Sequence, residues 1–163
     1  MYRLNEVVHH WIYQDYYGRI KRLEKERIFC RHQMTHLLDV ARIAYIKNLE
    51  ENLGFEKDVI YTAAVLHDIG KSFQYKWTIP HEVAGEKIAK EILTTLPEDA
   101  QFTEEEQQQI LRAIRGHRRK HEGMEPIEEL FYDSDKCSRM CHSCPAQKQC
   151  NWTEEEKNME IEI

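Results

Sequence analysis

Apolar residues recur along this chain at the three- and four-residue intervals of helices, while strand-like alternation is scarce. Residues 2–27 carry that pattern as one long helix or as two shorter ones broken near Gly18. Between 34 and 52, Leu37, Val40, Ala41, Ala44, Tyr45 and Leu49 form one buried stripe, which Gly54 closes. The next helix spans 57–67, with Ile60, Ala63 and Ala64 facing inward. Pro80 opens another that runs through Leu93 on Val83, Ala84, Ile88, Ala89 and Ile92. Thr103 and Glu106 stand at the spacing of a capping box, in which hydroxyl and carboxylate satisfy free amides at a helix start. From there Ile110, Ala113 and Ile114 lead to Gly116, and Pro126 begins a further helix carrying Ile127, Leu130 and Phe131. No internal repeat or low-complexity linker interrupts the series. The predicted fold is all-α, one helical domain over residues 1–136 with its core in 30–136.

Polar residues interrupt these apolar faces at particular places. The segment AVLHDIGK runs from an apolar helix into His67 and Asp68, and His67 continues the inward face of Ile60 and Ala63. His36 lies one turn before Val40, and His117 stands to Ala113 and Ile110 as His67 does to its helix. Asp135 falls four residues after Phe131, and His81 starts a helix three residues before Ala84. A single histidine on an apolar face is commonly a core residue bonded to a carbonyl, and His9, His10, His121 and His142 take that reading or a surface one. Five helices each aiming an imidazole or carboxylate inward is a different matter. Burying so many ionisable groups costs several kcal/mol apiece unless a cation neutralises them.

A shared metal site is the economical explanation. His36, His67, Asp68 and Asp135 form its core, with His81 and His117 completing a second position that Asp68 bridges. His32, one turn before His36, is a competing register. Mixed nitrogen and oxygen donors suit iron, manganese, zinc, cobalt or nickel better than calcium. Such a metal generates hydroxide from bound water near neutral pH. Asp68 also orients the nucleophile in this reading. Lys71 either binds the substrate or protonates its leaving group, or is a helix-end cation answering the dipole. Arg115, Arg118 and Arg119, in the run RGHRRK, are candidates to grip an anionic substrate, with Arg31 and Arg139 as further ones.

The order H…HD…D, with HLLDVARIA at His36 and AVLHDIGK at His67, resembles the HD-domain metal-dependent phosphohydrolases. HEVAGEKIA at His81 and IRGH at His117 resemble the six-ligand, two-metal branch of that superfamily. In layout the chain is similar to the small bacterial HD hydrolases that split dinucleoside tetraphosphates, over roughly residues 30–140. The resemblance implies metal ligation by His36, His67, Asp68, Asp135, His81 and His117, and a small phosphorylated substrate, a nucleotide above all. Two rival classes share the donor set: a di-iron oxygenase, and a nucleotide-binding sensor without turnover.

Composition narrows the setting. The chain has 163 residues, a length suited to one domain, and a net charge of -6, which offers no bulk attraction to nucleic acid or anionic membrane. The polar N-terminus is unlike a signal peptide, and no apolar run reaches membrane-spanning length, so a cytoplasmic protein is expected. Four of the five cysteines, Cys137, Cys141, Cys144 and Cys150, fall in residues 137–163, read as a Cys-rich extension packed on the same domain. Their spacing, C-x3-C-x2-C-x5-C, suits a zinc ion or an iron–sulfur cluster. His142 is a substitute donor if Cys137 stays helical, and unligated thiols are the alternative.

Overall fold

The computed structural model describes residues 1–161, and among them there is no strand. In chain order the helices are α1 (Tyr2–His9), α2 (Trp11–Leu23), α3 (Met34–Glu50), α4 (Lys57–Leu66), α5 (Lys71–Trp77), α6 (His81–Thr94), α7 (Glu104–Gly116) and α8 (Pro126–Cys137). The tail adds only single 3-10 turns, at Cys141–Ser143 and Gln147–Gln149. The all-α expectation holds.

Helix α4 is the axis of the bundle. Val59, Ile60, Ala63, Ala64, Val65 and Leu66 are all buried, and a helix apolar on every side must sit inside others. It packs against α1, α3 and α7, while α8 closes over α3 and α7. Capping fixes where the outer helices begin. Thr103 Oγ1 accepts the Glu106 N–H at 3.2 Å, and the Glu106 carboxylate accepts the Thr103 N–H at 2.8 Å. Arg3 then grips the same carboxylate with two N–H groups, at 2.8 and 3.0 Å, docking α1 on the start of α7. Pro126 occupies the first turn of α8, where its missing N–H costs nothing.

Two features depart from the sequence pattern. The N-terminal break falls at His10, whose extended backbone (φ -60°, ψ 134°) and Nδ1 cap the amide of Ile12, and Gly18 stays inside α2. A glycine within a helix costs only about 1 kcal/mol, less than a good cap and buried packing return. Helix α5 is the other surprise, a single polar and aromatic stretch with no apolar stripe of its own. Thr78, left-handed at φ 57°, ends it. It lies against α2 and α6 and turns Lys71, Gln74 and Tyr75 to one side.

The turn joining α4 to α5 sits hard under the first turn of α6. A Cβ on Gly70 would stand 2.1 Å from the His81 carbonyl oxygen and 2.5 Å from the Gly85 nitrogen, both backbone atoms. Gly70→Ala must therefore push α6 away from the His67–Asp68 turn. Overpacking of this kind costs about 1–3 kcal/mol, so the midpoint of thermal unfolding should fall by several degrees. An unshifted melting curve would contradict that packing.

Candidate metal centre

Every donor comes from the end of an element, which is how so many reach one place. His36 lies in the first turn of α3, His67 and Asp68 follow the last residue of α4, and His81 is the first residue of α6. His117 follows α7 and Asp135 lies in the last turn of α8. All six are buried.

They converge as two groups that share Asp68. In the first, His36 Nε2 is 3.5 Å from Asp68 Oδ2 and 3.3 Å from Asp135 Oδ1. His67 Nε2 is 3.0 Å from Asp68 Oδ2 and 3.8 Å from Asp135 Oδ1. In the second, His81 Nε2 is 3.0 Å from His117 Nε2, and these stand 3.3 and 3.8 Å from Asp68 Oδ1. Metal bonds of about 2.0–2.2 Å place neighbouring donors roughly 3–3.5 Å apart, so both groups have the right span.

The fit to a cation rests on unpartnered atoms. His67 Nε2 and Asp68 Oδ2 are buried without a hydrogen-bond partner, although only 3.0 Å separates them. Leaving such atoms unpaired is costly, and a cation between them satisfies both. The imidazoles are also oriented for it. Nδ1 of His67 donates to the Ala64 carbonyl at 2.7 Å, and Nδ1 of His117 donates to that of Ile114 at 2.7 Å. Nδ1 of His81 meets the Gln74 amide oxygen, and Nδ1 of His36 meets Ser138 Oγ at 3.1 Å. Each ring thereby turns Nε2 to the centre, the tautomer a ligand needs.

Electrostatics set the same states. Burial pushes His117 down to about 4, helped by the neighbouring His67 charge. Burial also lowers His81, with Lys71 adding to the effect. Burial would raise Asp68, yet His67 and Lys71 hold its carboxyl well below the usual range. Asp135 is likewise held down against its burial, chiefly by the Arg139 guanidinium. His67 is the exception: burial opposes its charge, but Asp68 and Asp135 lift it to about 10.

A cavity of about 500 Å³ opens over this centre. Arg27, Lys71, Arg118, Arg119, Lys136 and Arg139 line it, as do the rings of Phe29, Tyr75 and Trp152. Lys71 begins α5 rather than ending a helix, so the dipole does not explain it; its Nζ lies 3.4 Å from Asp68 Oδ1. Arg118 is also tied to Glu82 at 3.0 Å. Arg115, grouped with it from sequence, instead faces Glu86 at 3.6 Å and does not line the cavity. Arg31 is exposed and donates to the carbonyls of Arg27 and Lys25. Arg139 is buried, with one Nη 2.8 Å from His36 Nε2 and 3.1 Å from Asp135 Oδ1.

His32 does not compete with His36; both face the site. His36 belongs to the first donor group, while His32 Nε2 lies alongside, 3.6 Å from Asp68 Oδ2. Its Nδ1 is held by Glu24, whose carboxylate also accepts the His32 N–H at 2.8 Å and the Tyr75 hydroxyl at 2.6 Å. Burial keeps His32 down at about 4. Glu24, Gln74 and Tyr75 carried no signal in the sequence, since Glu24 sits in a charge run that reads as a solvated face. The cysteines behave differently from the histidines. Cys137 ends α8, Cys141 is buried in the tail, and no three sulfurs lie mutually within 4.8 Å.

An all-α domain gathering His and Asp side chains from five helix ends around a cation position is the class this architecture defines. The chain belongs to the HD domain family, whose model matches residues 34–140. It is 47% identical over 161 residues to an uncharacterized protein of Clostridium beijerinckii (strain ATCC 51743 / NCIMB 8052), covering 99% of each chain. No solved structure matches it. Among the described residues no helix is long and apolar enough to cross a membrane.

Proposed function

We propose that this protein is a metal-dependent phosphohydrolase acting on a nucleotide or related phosphate ester. One observation carries the reading: a chain of net charge -6 concentrates cationic side chains around the cavity over its His and Asp donors. Such a pocket suits a polyanion, and Phe29, Tyr75 and Trp152 offer surfaces on which a nucleobase stacks.

His36, His67, Asp68 and Asp135 would hold one divalent ion of the iron, manganese, zinc, cobalt or nickel class, and Asp68, His81 and His117 would hold a second. When bound, such metals would supply Lewis acidity towards the phosphoryl group and the attacking water. The chain's own residues do the rest. Arg118 and Arg119 bind the outer phosphoryl oxygens. Arg139 points an N–H at the reacting centre, where it offsets charge as it develops. Lys71, whose ammonium is paired with Asp68, donates a proton towards the departing oxygen. His32 stays neutral and, fixed by Glu24, keeps a basic nitrogen beside Asp68.

Protein supplied in turn with manganese, cobalt or nickel should release phosphate or a nucleoside phosphate from a panel of nucleotides and dinucleoside polyphosphates. Oxygen uptake without any phosphate release would replace this reading with the di-iron oxygenase. Tight nucleotide binding with neither activity would replace it with the sensor.

A further inference from the structure

The tail beyond Arg139 buries little apolar surface. Among residues 140–161 only Cys141 and Ala146 are buried, and the sole regular structure is two 3-10 turns. So short a segment cannot repay its ordering entropy from apolar burial. It borders the loop that joins α2 to α3. Ile28, Phe29 and Arg31 of that loop face Pro145, Ala146 and Gln149 across a shared cleft. Cys30 lies at the centre of this loop and, like Cys150, lines the cavity over the metal centre.

The fifth cysteine, remote in sequence, thus belongs with the tail cysteines. Burial raises the Cys141 thiol, with Cys30, Cys150 and Cys144 adding to the rise, and the Cys144 N–H donates to the Cys141 carbonyl at 3.2 Å. Cys137 ends α8, and its carbonyl accepts from the Asn158 side chain at 2.8 Å. All five thiols are free of disulfides.

We infer that Cys30, Cys141, Cys144 and Cys150 are the four ligands of one iron–sulfur cluster, which ties the loop before α3 to the tail. A [4Fe–4S] cluster takes four cysteine thiolates, one to each iron. Cys144-Pro145 repeats the Cys-Pro step of cluster-binding runs. Metal–thiolate bonding also adds stability to the tail. The cluster stands at the rim of the substrate cavity, because Cys30 and Cys150 are part of its wall. This inference does not depend on the proposed hydrolysis.

Acid-labile sulfide in anaerobically purified, iron-replete protein is the decisive readout, since the His and Asp centre has no means of supplying it. Wild type should be coloured and contain sulfide. His67→Ala and Cys137→Ser should keep wild-type sulfide, and Cys30→Ser should lose it. A colourless protein containing zinc and no sulfide overturns the inference, as does sulfide lost in Cys137→Ser but kept in Cys30→Ser. Native alkylation of wild type supplies a second test that does not require Cys30→Ser to fold. Cys30, Cys141, Cys144 and Cys150 should resist iodoacetamide until the iron is chelated. Immediate alkylation of Cys30 in the holoprotein overturns the assignment.

Discussion

Asp68→Ala should strip metal from both positions and lower hydrolysis by at least about 100-fold, the largest effect expected of any single change. Its two oxygens serve different neighbours. Oδ2 lies 3.0 Å from His67 Nε2 and 3.5 Å from His36 Nε2, while Oδ1 lies 3.3 Å from His81 Nε2 and 3.4 Å from Lys71 Nζ. Among the described residues no other carboxylate belongs to both donor groups. Removing it also takes away the leading attraction that charges His67, leaving four imidazoles around Asp135 alone. Asp68→Asn keeps the shape and removes only the charge, so it separates ligand loss from packing loss. Metal analysis and phosphate release on both variants make the test. An Asp68→Asn protein with full metal content and turnover would dispose of the site.

The second large effect is on stoichiometry. His117 belongs only to the group with Asp68 and His81, and its Nδ1 is fixed by the Ile114 carbonyl. Titration of the wild-type pocket should saturate near about two ions per chain, and His117→Ala should bring that to about one. The remaining ion should stay with His36, His67, Asp68 and Asp135, none of which His117 holds in place through a hydrogen bond. Metal bound to the cysteines has to be counted apart, through its sulfide. A wild-type pocket that saturates at one ion, unchanged by His117→Ala, would favour a mononuclear centre with His81 and His117 as bystanders.

The helical phase of the donors was legible because burial is local arithmetic. Ile60, Ala63 and His67 share a face whatever the helix packs against, and the same holds for Ile110, Ala113 and His117. The Thr103–Glu106 capping box was legible for a like reason, as both partners lie within one turn. The His10 break was not, since an imidazole cap competes with a glycine signal and only the backbone shows which prevails. Helix α5 had no apolar stripe to announce it, being held by packing against α2 and α6 rather than by a core face of its own.

By itself, then, the sequence determined that the chain is helical, which faces go inward, and which imidazoles and carboxylates ride on them. Only the tertiary structure decided which helix ends meet. It divided the oxygens of Asp68 between two groups, chose Arg139 over Arg31 and Arg115 for the pocket, and brought Glu24 to His32 and Cys30 to the cavity wall that Cys150 also lines. It also showed that an acidic chain keeps a basic cavity, which a summed charge cannot register. The physical reason is range: periodicity and capping act over one or two turns of a helix. A metal centre or charged pocket is assembled from residues many turns apart, and their meeting depends on how whole helices pack.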